Sequence, residues 1–300
     1  MQKIIKDLDP KRCIVQVTIA DERWYLKSSI DPITNLPVYK AVPSVTWIAG
    51  HYPKGIGYYK WLGEHGWDES QALMREAGDK GSKVHLAISD ILDGREVRID
   101  SKYINKSTGQ IEELTFEEVE CIMSFIAWKA TLESFEPIAW DVVVYSDIHN
   151  FAGSVDLIAK VNGVLYIIDF KTSQQMWPSH EMQVSAYRVA TENGENPMED
   201  AQGKMIDMSG LKTAILQIGY KKNKAGWKWN EVNDVFALFK NAQAIWAREC
   251  EGQDIKKRDI PVVLSAAKNP VGEVIQEPQE EYQEPEIQSV PEVIKKRIKK

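Results

Sequence analysis

Residues 153–171 read GSVDLIAKVNGVLYIIDFK, and this stretch carries the strongest structural signal in the chain. Two apolar runs flank an Asn-Gly dipeptide at 162–163, which is typical of a two-residue β-hairpin turn. Alternate side chains of a strand share a face, so Asp169 and Lys171 are expected to point the same way. The turn sets the register and brings Asp156 of the first strand close to them. The sequence therefore predicts two carboxylates and one ammonium group at one sheet edge, a set that suits a hard divalent cation.

Each of these groups also has a purely structural interpretation. A buried lone carboxylate is costly, so Asp156 could simply form a salt bridge with Lys171. Asp169 follows the apolar run LYII and could be a solvent-facing residue at a strand end. Neighbouring motifs favour the functional interpretation of the three residues.

The arrangement D…(D/E)xK across a hairpin resembles the PD-(D/E)xK nuclease superfamily. Further segments resemble its RecB-like and phage-exonuclease branch, and they occur in the family's order: PSVT (43–46), GSKVH (81–85), GSVDL (153–157), IDFKTS (168–173) and QVSAY (183–187). Asp169 stands where glutamate is also common in the family. The resemblance implies an α/β domain with a mixed central sheet flanked by helices, which hydrolyses DNA phosphodiester bonds with a divalent metal.

The resemblance also implies roles for the hairpin residues. Asp156 would be the central metal ligand, Asp169 a second one, and the backbone carbonyl of Phe170 a third. Two carboxylates and a carbonyl suffice for Mg²⁺, which retains several waters. Lys171 would either orient or deprotonate the attacking water or stabilise charge on the phosphate, and the sequence does not choose between these roles.

Four residues outside the hairpin complete the expected site. His85 would add a nitrogen ligand, which favours Mn²⁺ and predicts activity with both Mn²⁺ and Mg²⁺. Glu136 would enter the site from the start of the sheet, although a surface glutamate is nearly as good an interpretation. Gln183 and Tyr187 are four residues apart on one helix face and would position a phosphate or the lysine. Packing of this helix against the sheet is the structural alternative.

The overall charge argues against broad binding to a polyanion. The chain has a net charge of −7, which is unusual for a DNA-binding protein. A local contact is predicted where lysines cluster around one turn, at Lys221, Lys222, Lys224 and Lys228. Trp177, Trp227 and Trp229 lie near segments expected to face DNA, with a core position as the alternative. DNA binding should therefore be local and sensitive to salt.

The three cysteines are far apart and form no CxxC pair, so we expect a reducing compartment and no iron–sulfur cluster. The sequence contains no run of about 18 apolar residues, so we expect no membrane span. The charged first residues contain no apolar signal-peptide region. These features favour a cytoplasmic protein, of a bacterium or a phage-infected cell, that does not bind membranes.

The pattern along the chain predicts three regions: an N-terminal β-hairpin region (1–40), the nuclease domain (41–268) and a disordered charged tail (269–300). The tail could contact DNA or a recombination or replication protein. Apolar residues among charges in 56–80 predict helices that cover a core, and another helix is expected from Gly81. Thr115 and Glu118 predict a capping box that begins the helix 115–135. Its apolar stripe is expected to consist of Val119, Ile122, Met123, Ile126, Ala127 and Ala130.

The GxxxH and QxxxY features favour an exonuclease that processes DNA ends in recombination, repair or replication. Three alternatives remain open at this stage: a structure-specific or sequence-specific endonuclease, a non-catalytic DNA-binding protein with the nuclease fold, and an RNase or defence effector.

Overall fold

A computed structural model describes residues 3–19, 22–33, 35, 37–199 and 203–250. The predicted tail lies outside the described residues. The elements follow in chain order: β1 (Lys3–Asp9), β2 (Ile14–Ile19), β3 (Glu22–Ile30), β4 (Pro37–Pro43), α1 (Val45–Gly50), α2 (Ile56–Leu92), β5 (Lys102–Ile104), β6 (Ile111–Glu113), α3 (Phe116–Ala130), β7 (Phe135–Ser146), β8 (Phe151–Val161), β9 (Val164–Lys171), α4 (Pro178–Glu192), β10 (Lys212–Ile218), β11 (Trp227–Glu231) and α5 (Phe236–Glu249).

The central sheet has five strands in the order β11-β10-β9-β8-β7. Strands β9 and β10 are parallel because α4 connects them as a crossover helix, while the other pairs are antiparallel. The β8–β9 turn places Asn162 and Gly163 at φ 49° and 79°, as a type I′ hairpin requires. The prediction of an α/β fold with a mixed central sheet is confirmed.

Helices cover both faces of this sheet. On one face, α1, α4 and α5 pack against Val155, Ile158 and Ile167. On the other face, α2 and α3 pack against Leu157 and Ile168. The result is a three-layer α/β/α arrangement, and α2 and α4 reach the β8–β9 strands from opposite sides.

The N-terminal region forms a four-stranded antiparallel sheet, β1 to β4, where we expected a hairpin. The predicted domain boundary at residue 40 falls inside β4. Tyr25 and Val42 of this sheet share a small core with Val143 and Tyr145 of β7. The N-terminal strands therefore pack directly against the central sheet.

Helix α2 differs from the prediction in two respects. It continues through Gly81 and is interrupted instead at Gly66, whose φ of 73° and ψ of 172° are not helical. The expectation that 56–80 covers a core is wrong, because Ser70 alone is buried in this range. The other buried residues of α2 lie between Lys83 and Ile88. Trp67 is 65% exposed. Among the described residues, no helix is long and apolar enough to cross a membrane.

Helix α3 begins at the predicted capping box. The Thr115 side chain accepts from the Glu118 backbone N–H, and the Glu118 side chain accepts from the Thr115 N–H. The predicted apolar stripe is confirmed at Ile122, which is buried, and wrong at Met123 and Ile126, which are exposed; the buried face also carries Phe125 and Trp128. These two large aromatic side chains bury more apolar area than the smaller residues of the expected stripe.

Candidate functional site

Asp156 lies beside the end of β9, as the hairpin pattern predicts. The register pairs Leu157 with Ile168, so the carboxylate of Asp156 reaches the next residues of β9. Its Oδ2 accepts a hydrogen bond of 2.8 Å from the backbone N–H of Phe170. The hairpin turn and the strand pairing are therefore sufficient to position this carboxylate.

Asp169 and Lys171 point to the same side of β9 and form an ion pair. Lys171 Nζ lies 2.5 Å from Asp169 Oδ2, and Asp169 is only 1% exposed. Apart from this ammonium group, the oxygen has no hydrogen-bond donor among the described residues. Burial raises the pKa of Asp169 to about 6, with Lys171 opposing the increase and Asp156 adding to it. The two carboxylates are therefore close enough to repel each other.

A chain of hydrogen bonds holds Lys171 from the side of α4. Lys171 Nζ donates to Gln183 Oε1 at 3.3 Å, and Gln183 Nε2 donates to the Tyr187 hydroxyl at 2.9 Å. Burial raises the pKa of Tyr187 well above its ordinary value, so the phenol stays protonated. The Tyr187 ring passes over Gly153 of β8, where an added Cβ would lie 2.5 Å from Cε1. The structure thus brings Gln183 and Tyr187 to the lysine.

Helix α2 approaches the same strand end from the opposite face of the sheet. His85 Nδ1 lies 3.1 Å from Asp156 Oδ1. Burial lowers the pKa of His85, but the Asp156 carboxylate outweighs it, and the pKa is raised. A Cβ at Gly81 would lie 3.6 Å from Thr172 Oγ1, so this glycine brings the helix close to the residue after Lys171.

The donors at this strand end fit a divalent cation. Asp156 and Asp169 interact electrostatically; Asp169 is buried, and the Asp156 side chain is 19% exposed. Positive charge would offset their repulsion, and carboxylate oxygen is the ligand type that Mg²⁺ and Mn²⁺ take. Within the described part of the chain, no three His, Cys, Asp or Glu side chains form a ready-made metal cluster. The fit therefore rests on the two aspartates, and His85 is engaged with Asp156.

Glu136 lies outside this group. It is in β7 and pairs with Lys160 of β8, four residues beyond Asp156 and about 13 Å along the strand. Its carboxylate makes an exposed ion pair with Lys160 at 3.2 Å. The structure gives Glu136 the position of a surface residue, and we leave it out of the proposed site.

Three lysines of the predicted cluster, Lys221, Lys222 and Lys224, lie on the β10–β11 turn, next to the segment that follows Lys171, and Lys228 lies in β11. The Lys221 N–H donates to Gln174 Oε1 at 2.8 Å, and Gln174 Nε2 donates to the Gly219 carbonyl at 2.8 Å. Lys221 Nζ also pairs with Glu117 at 3.1 Å. The other three lysines, Lys222, Lys224 and Lys228, are exposed. The cluster is thus beside the site, with one of its lysines neutralised by a carboxylate.

The aromatic residues near this turn divide into core and surface positions. Trp229 stacks on Trp128 at 5.5 Å, and Trp227 packs against the same core. Trp177, which precedes the first residue of α4, is 47% exposed. Trp177 is therefore the most exposed of the three, while Trp227 and Trp229 are half-buried.

His180 is a site neighbour that the sequence interpretation missed. It lies on α4, three residues before Gln183, and burial together with the charges of Lys171 and Lys54 lowers its pKa to about 3. The spacing of His180, Gln183 and Tyr187 places all three on one helix face, a signal that could have identified it.

Comparison with known families gives a consistent result. A model of the PD-(D/E)XK nuclease superfamily matches residues 63–298, which is more than half of the chain. No curated protein gives a significant match. The matched region contains α3, the central sheet, α4 and α5, and most of α2. The chain therefore belongs to the PD-(D/E)XK nuclease superfamily.

Proposed function

We propose that this protein is a metal-dependent deoxyribonuclease with its active site at the end of β8 and β9. The observation that carries the proposal is the group formed by Asp156, Asp169 and Lys171, with Lys171 held between Asp169 and Gln183. A buried carboxylate, a second one that is largely buried and an oriented ammonium at one point have little structural benefit, because charges are costly to bury. They suit hydrolysis of a phosphodiester.

In this proposal, Asp156 and Asp169 hold the cation, with the Phe170 carbonyl as a further ligand. Mg²⁺ or Mn²⁺ bound there would supply Lewis-acid activation of the phosphate and of a water nucleophile. The Phe170 N–H and His85 orient the Asp156 carboxylate. Lys171 stabilises negative charge on the phosphoryl oxygens or orients the attacking water, and Gln183 keeps its Nζ in place.

We further propose that the enzyme is an exonuclease of the RecB-like and phage-exonuclease branch. The support comes from Gly81 and His85 on α2 and from Gln183 and Tyr187 on α4, which flank the strand end from opposite faces of the sheet. Processing of DNA ends in recombination, repair or replication, in a phage or its host cytosol, is the corresponding role. The exposed lysines of the β10–β11 turn would contact the DNA backbone.

The experiment is digestion of end-labelled linear DNA, covalently closed circular DNA and RNA with Mg²⁺ or Mn²⁺. We expect loss of linear DNA only, because an exonuclease requires an end. The Lys171→Ala variant should be inactive, while Lys160→Ala, which removes an exposed lysine of the same hairpin, should resemble the wild type. Cutting of closed circles would instead indicate an endonuclease. Binding without cleavage would indicate a non-catalytic protein, and cleavage of RNA alone would contradict the DNA substrate.

A further inference from the structure

The segment 54–80, which we name the α2 arm, is an exposed feature that ends next to the proposed active site. It contains the loop before α2 and the helix up to the residue before Gly81. Several of its apolar side chains are exposed, including Ile56 (72%), Tyr59 (55%) and Trp67 (65%). Soluble proteins seldom expose so many large apolar side chains on one element without a binding function.

The end of the arm lies at the active site, and its start follows α1, which packs against the helix that carries Gln183. Lys54 comes four residues after Gly50, the last residue of α1. At the end of the arm, Gly81 lies against Thr172, the residue after Lys171. A straight helix from residue 56 to residue 80 would be about 37 Å long. The break at Gly66 divides the arm into two helical segments, and the second of them finishes beside the site.

The first segment of the arm carries a continuous series of aromatic rings. The Tyr58 ring lies 5.6 Å from the Tyr59 ring and 6.0 Å from the Trp61 ring, and Trp61 lies 5.4 Å from His65. Tyr59 is more exposed than Tyr58. Such a series offers flat apolar faces of the kind on which nucleobases stack.

The start of the arm has a charge that suits an anionic chain. Residues 54–63 contain Lys54 and Lys60 and no acidic residue, whereas residues 64–80 contain five acidic and two basic residues, so the positive charge is confined to the part that carries Tyr58, Tyr59 and Trp61. Both lysines are exposed, and neither forms an ion pair with another described residue. Exposed rings interleaved with lysines fit single-stranded nucleic acid, because stacking holds the bases while the lysines neutralise phosphates.

We infer that the Tyr58–Trp61 segment of the α2 arm binds unpaired nucleotides of a DNA strand next to the catalytic group. The inference rests on the proposed nuclease function and adds its substrate: a DNA end with an unpaired extension. In a blunt duplex the bases are stacked on each other and their faces are not available to the rings. The arm therefore favours a duplex with a single-stranded extension over a blunt one.

The test is equilibrium binding of the full chain by fluorescence anisotropy in EDTA, where metal-dependent cleavage does not occur. The probes are a labelled blunt duplex and the same duplex with an oligothymidine extension at its 3′ or 5′ end. We expect Tyr59→Ala to weaken binding of the extended duplex about fivefold or more, since one base–aromatic stack contributes that much, with little change for the blunt duplex. Tyr59→Phe keeps the ring and should bind as the wild type does.

Tyr39→Ala is the matched control, because Tyr39 is 58% exposed on β4 of the N-terminal sheet. It should leave both affinities unchanged. The inference is overturned if the wild type binds both duplexes equally, if Tyr59→Ala binds as the wild type does, or if it weakens both probes alike. This assay is independent of cleavage. If the wild type cleaves no DNA, but Tyr59→Ala still weakens binding of the extended duplex, the nuclease proposal is contradicted while the binding inference is supported.

Discussion

At the scale of single residues, two lysines of the same hairpin illustrate how environment separates function from surface chemistry. Lys171 and Lys160 each pair with a carboxylate, Asp169 and Glu136 respectively. The Lys171 side chain is 18% exposed and its partner 2%, whereas Lys160 is 41% exposed and its partner 61%. A pair in solvent contributes little, while a buried pair must be held by its surroundings.

This contrast gives the first prediction. Lys171→Ala should lower the single-turnover cleavage rate of linear DNA with Mg²⁺ about 100-fold or more, as expected for loss of a group that stabilises transition-state charge. Lys160→Ala should stay within about twofold of the wild type because its ion pair is exposed. Thermal melting of both variants checks that they fold. Equal activity of the two variants would contradict the role of Lys171.

His180 provides a prediction on pH. Its pKa falls from 6.5 to about 3 in the folded protein because it is buried near Lys171 and Lys54. Above pH 6.5 the imidazole is neutral in both states and costs nothing. Below pH 6.5 the unfolded chain takes up a proton that the folded chain does not, so stability decreases as the pH falls from 6.5 toward 3.

The measurement is the melting temperature of wild type and His180→Gln between pH 7.5 and about 4, the window set by these pKa values. The neutral variant should lose less stability than the wild type over this range. Asp156 and Glu117 have lowered pKa values and add to the loss of stability, whereas Asp169 and His85 have raised pKa values and oppose it; all four are present in both proteins, so the difference between the two curves reports His180. Parallel curves for the two proteins would show that His180 is protonated in the folded state.

At the scale of elements, the contact between β8 and α4 determines where Gln183, which accepts a hydrogen bond from Lys171, lies. Gly153 has no side chain, and this allows the Tyr187 ring to pass directly over β8. A Cβ at Gly153 would lie closer to Cε1 of Tyr187 than real contacts allow, so either α4 or the Tyr187 ring would have to move. The glycine of the GSVDL motif thus acts through packing on the position of Tyr187.

We predict that Gly153→Ala lowers the free energy of unfolding by about 1–3 kcal/mol, the usual cost of overpacking. Cleavage should fall as well, because Tyr187 and Gln183 shift together. Urea denaturation measures the first effect and DNA digestion the second. Gly50→Ala is the matched control, since nothing lies within 4 Å of its Cβ position in α1. The double variant Gly153→Ala/Tyr187→Leu should be more stable to urea than Gly153→Ala alone. If it is not, the clash of the new methyl group is not with the Tyr187 ring.

At the scale of the whole molecule, the chain carries a net charge of −7 and still offers a local cationic surface. Lys222 and Lys224 are exposed on the β10–β11 turn, which is tied to Gln174 beside the site. Salt dependence reports the number of phosphates that such lysines neutralise, whatever the net charge of the protein.

We predict that Lys222→Ala and Lys224→Ala each reduce the slope of log K against log salt by about 0.7–0.9, the value for one phosphate contact. The measurement is anisotropy of labelled DNA across a salt series. Lys102→Ala removes an exposed lysine on β5 that pairs with Glu113 and should leave the slope unchanged. Unchanged slopes for Lys222→Ala and Lys224→Ala would show that these lysines do not neutralise phosphates of the bound DNA.

Truncation tests the proposed division of the chain. The core residues of the described part lie between Ile14 and Ala242, whereas the family match continues to residue 298. We expect deletion of 269–300 to leave the melting transition and the cleavage of linear DNA unchanged. A large fall in melting temperature would show that the last part of the family match contributes to the fold.

The sequence by itself determined the hairpin and the residues it carries. An Asn-Gly turn and strict alternation are local properties, so they specify the register of β8 and β9 and place Asp156, Asp169 and Lys171 together. The capping box of α3 is local in the same way. Four-residue spacing on α4 likewise put Gln183 and Tyr187 on one face.

Tertiary structure alone decided how distant segments meet these residues. The contact of His85 with Asp156, the passage of Tyr187 over Gly153 and the position of Glu136 at the other end of the sheet depend on packing between elements far apart in sequence. The same holds for the α2 arm, whose apolar residues suggest a core helix until its surroundings are known. Apolar periodicity states which residues can be buried, but only the packed neighbours decide which of them are.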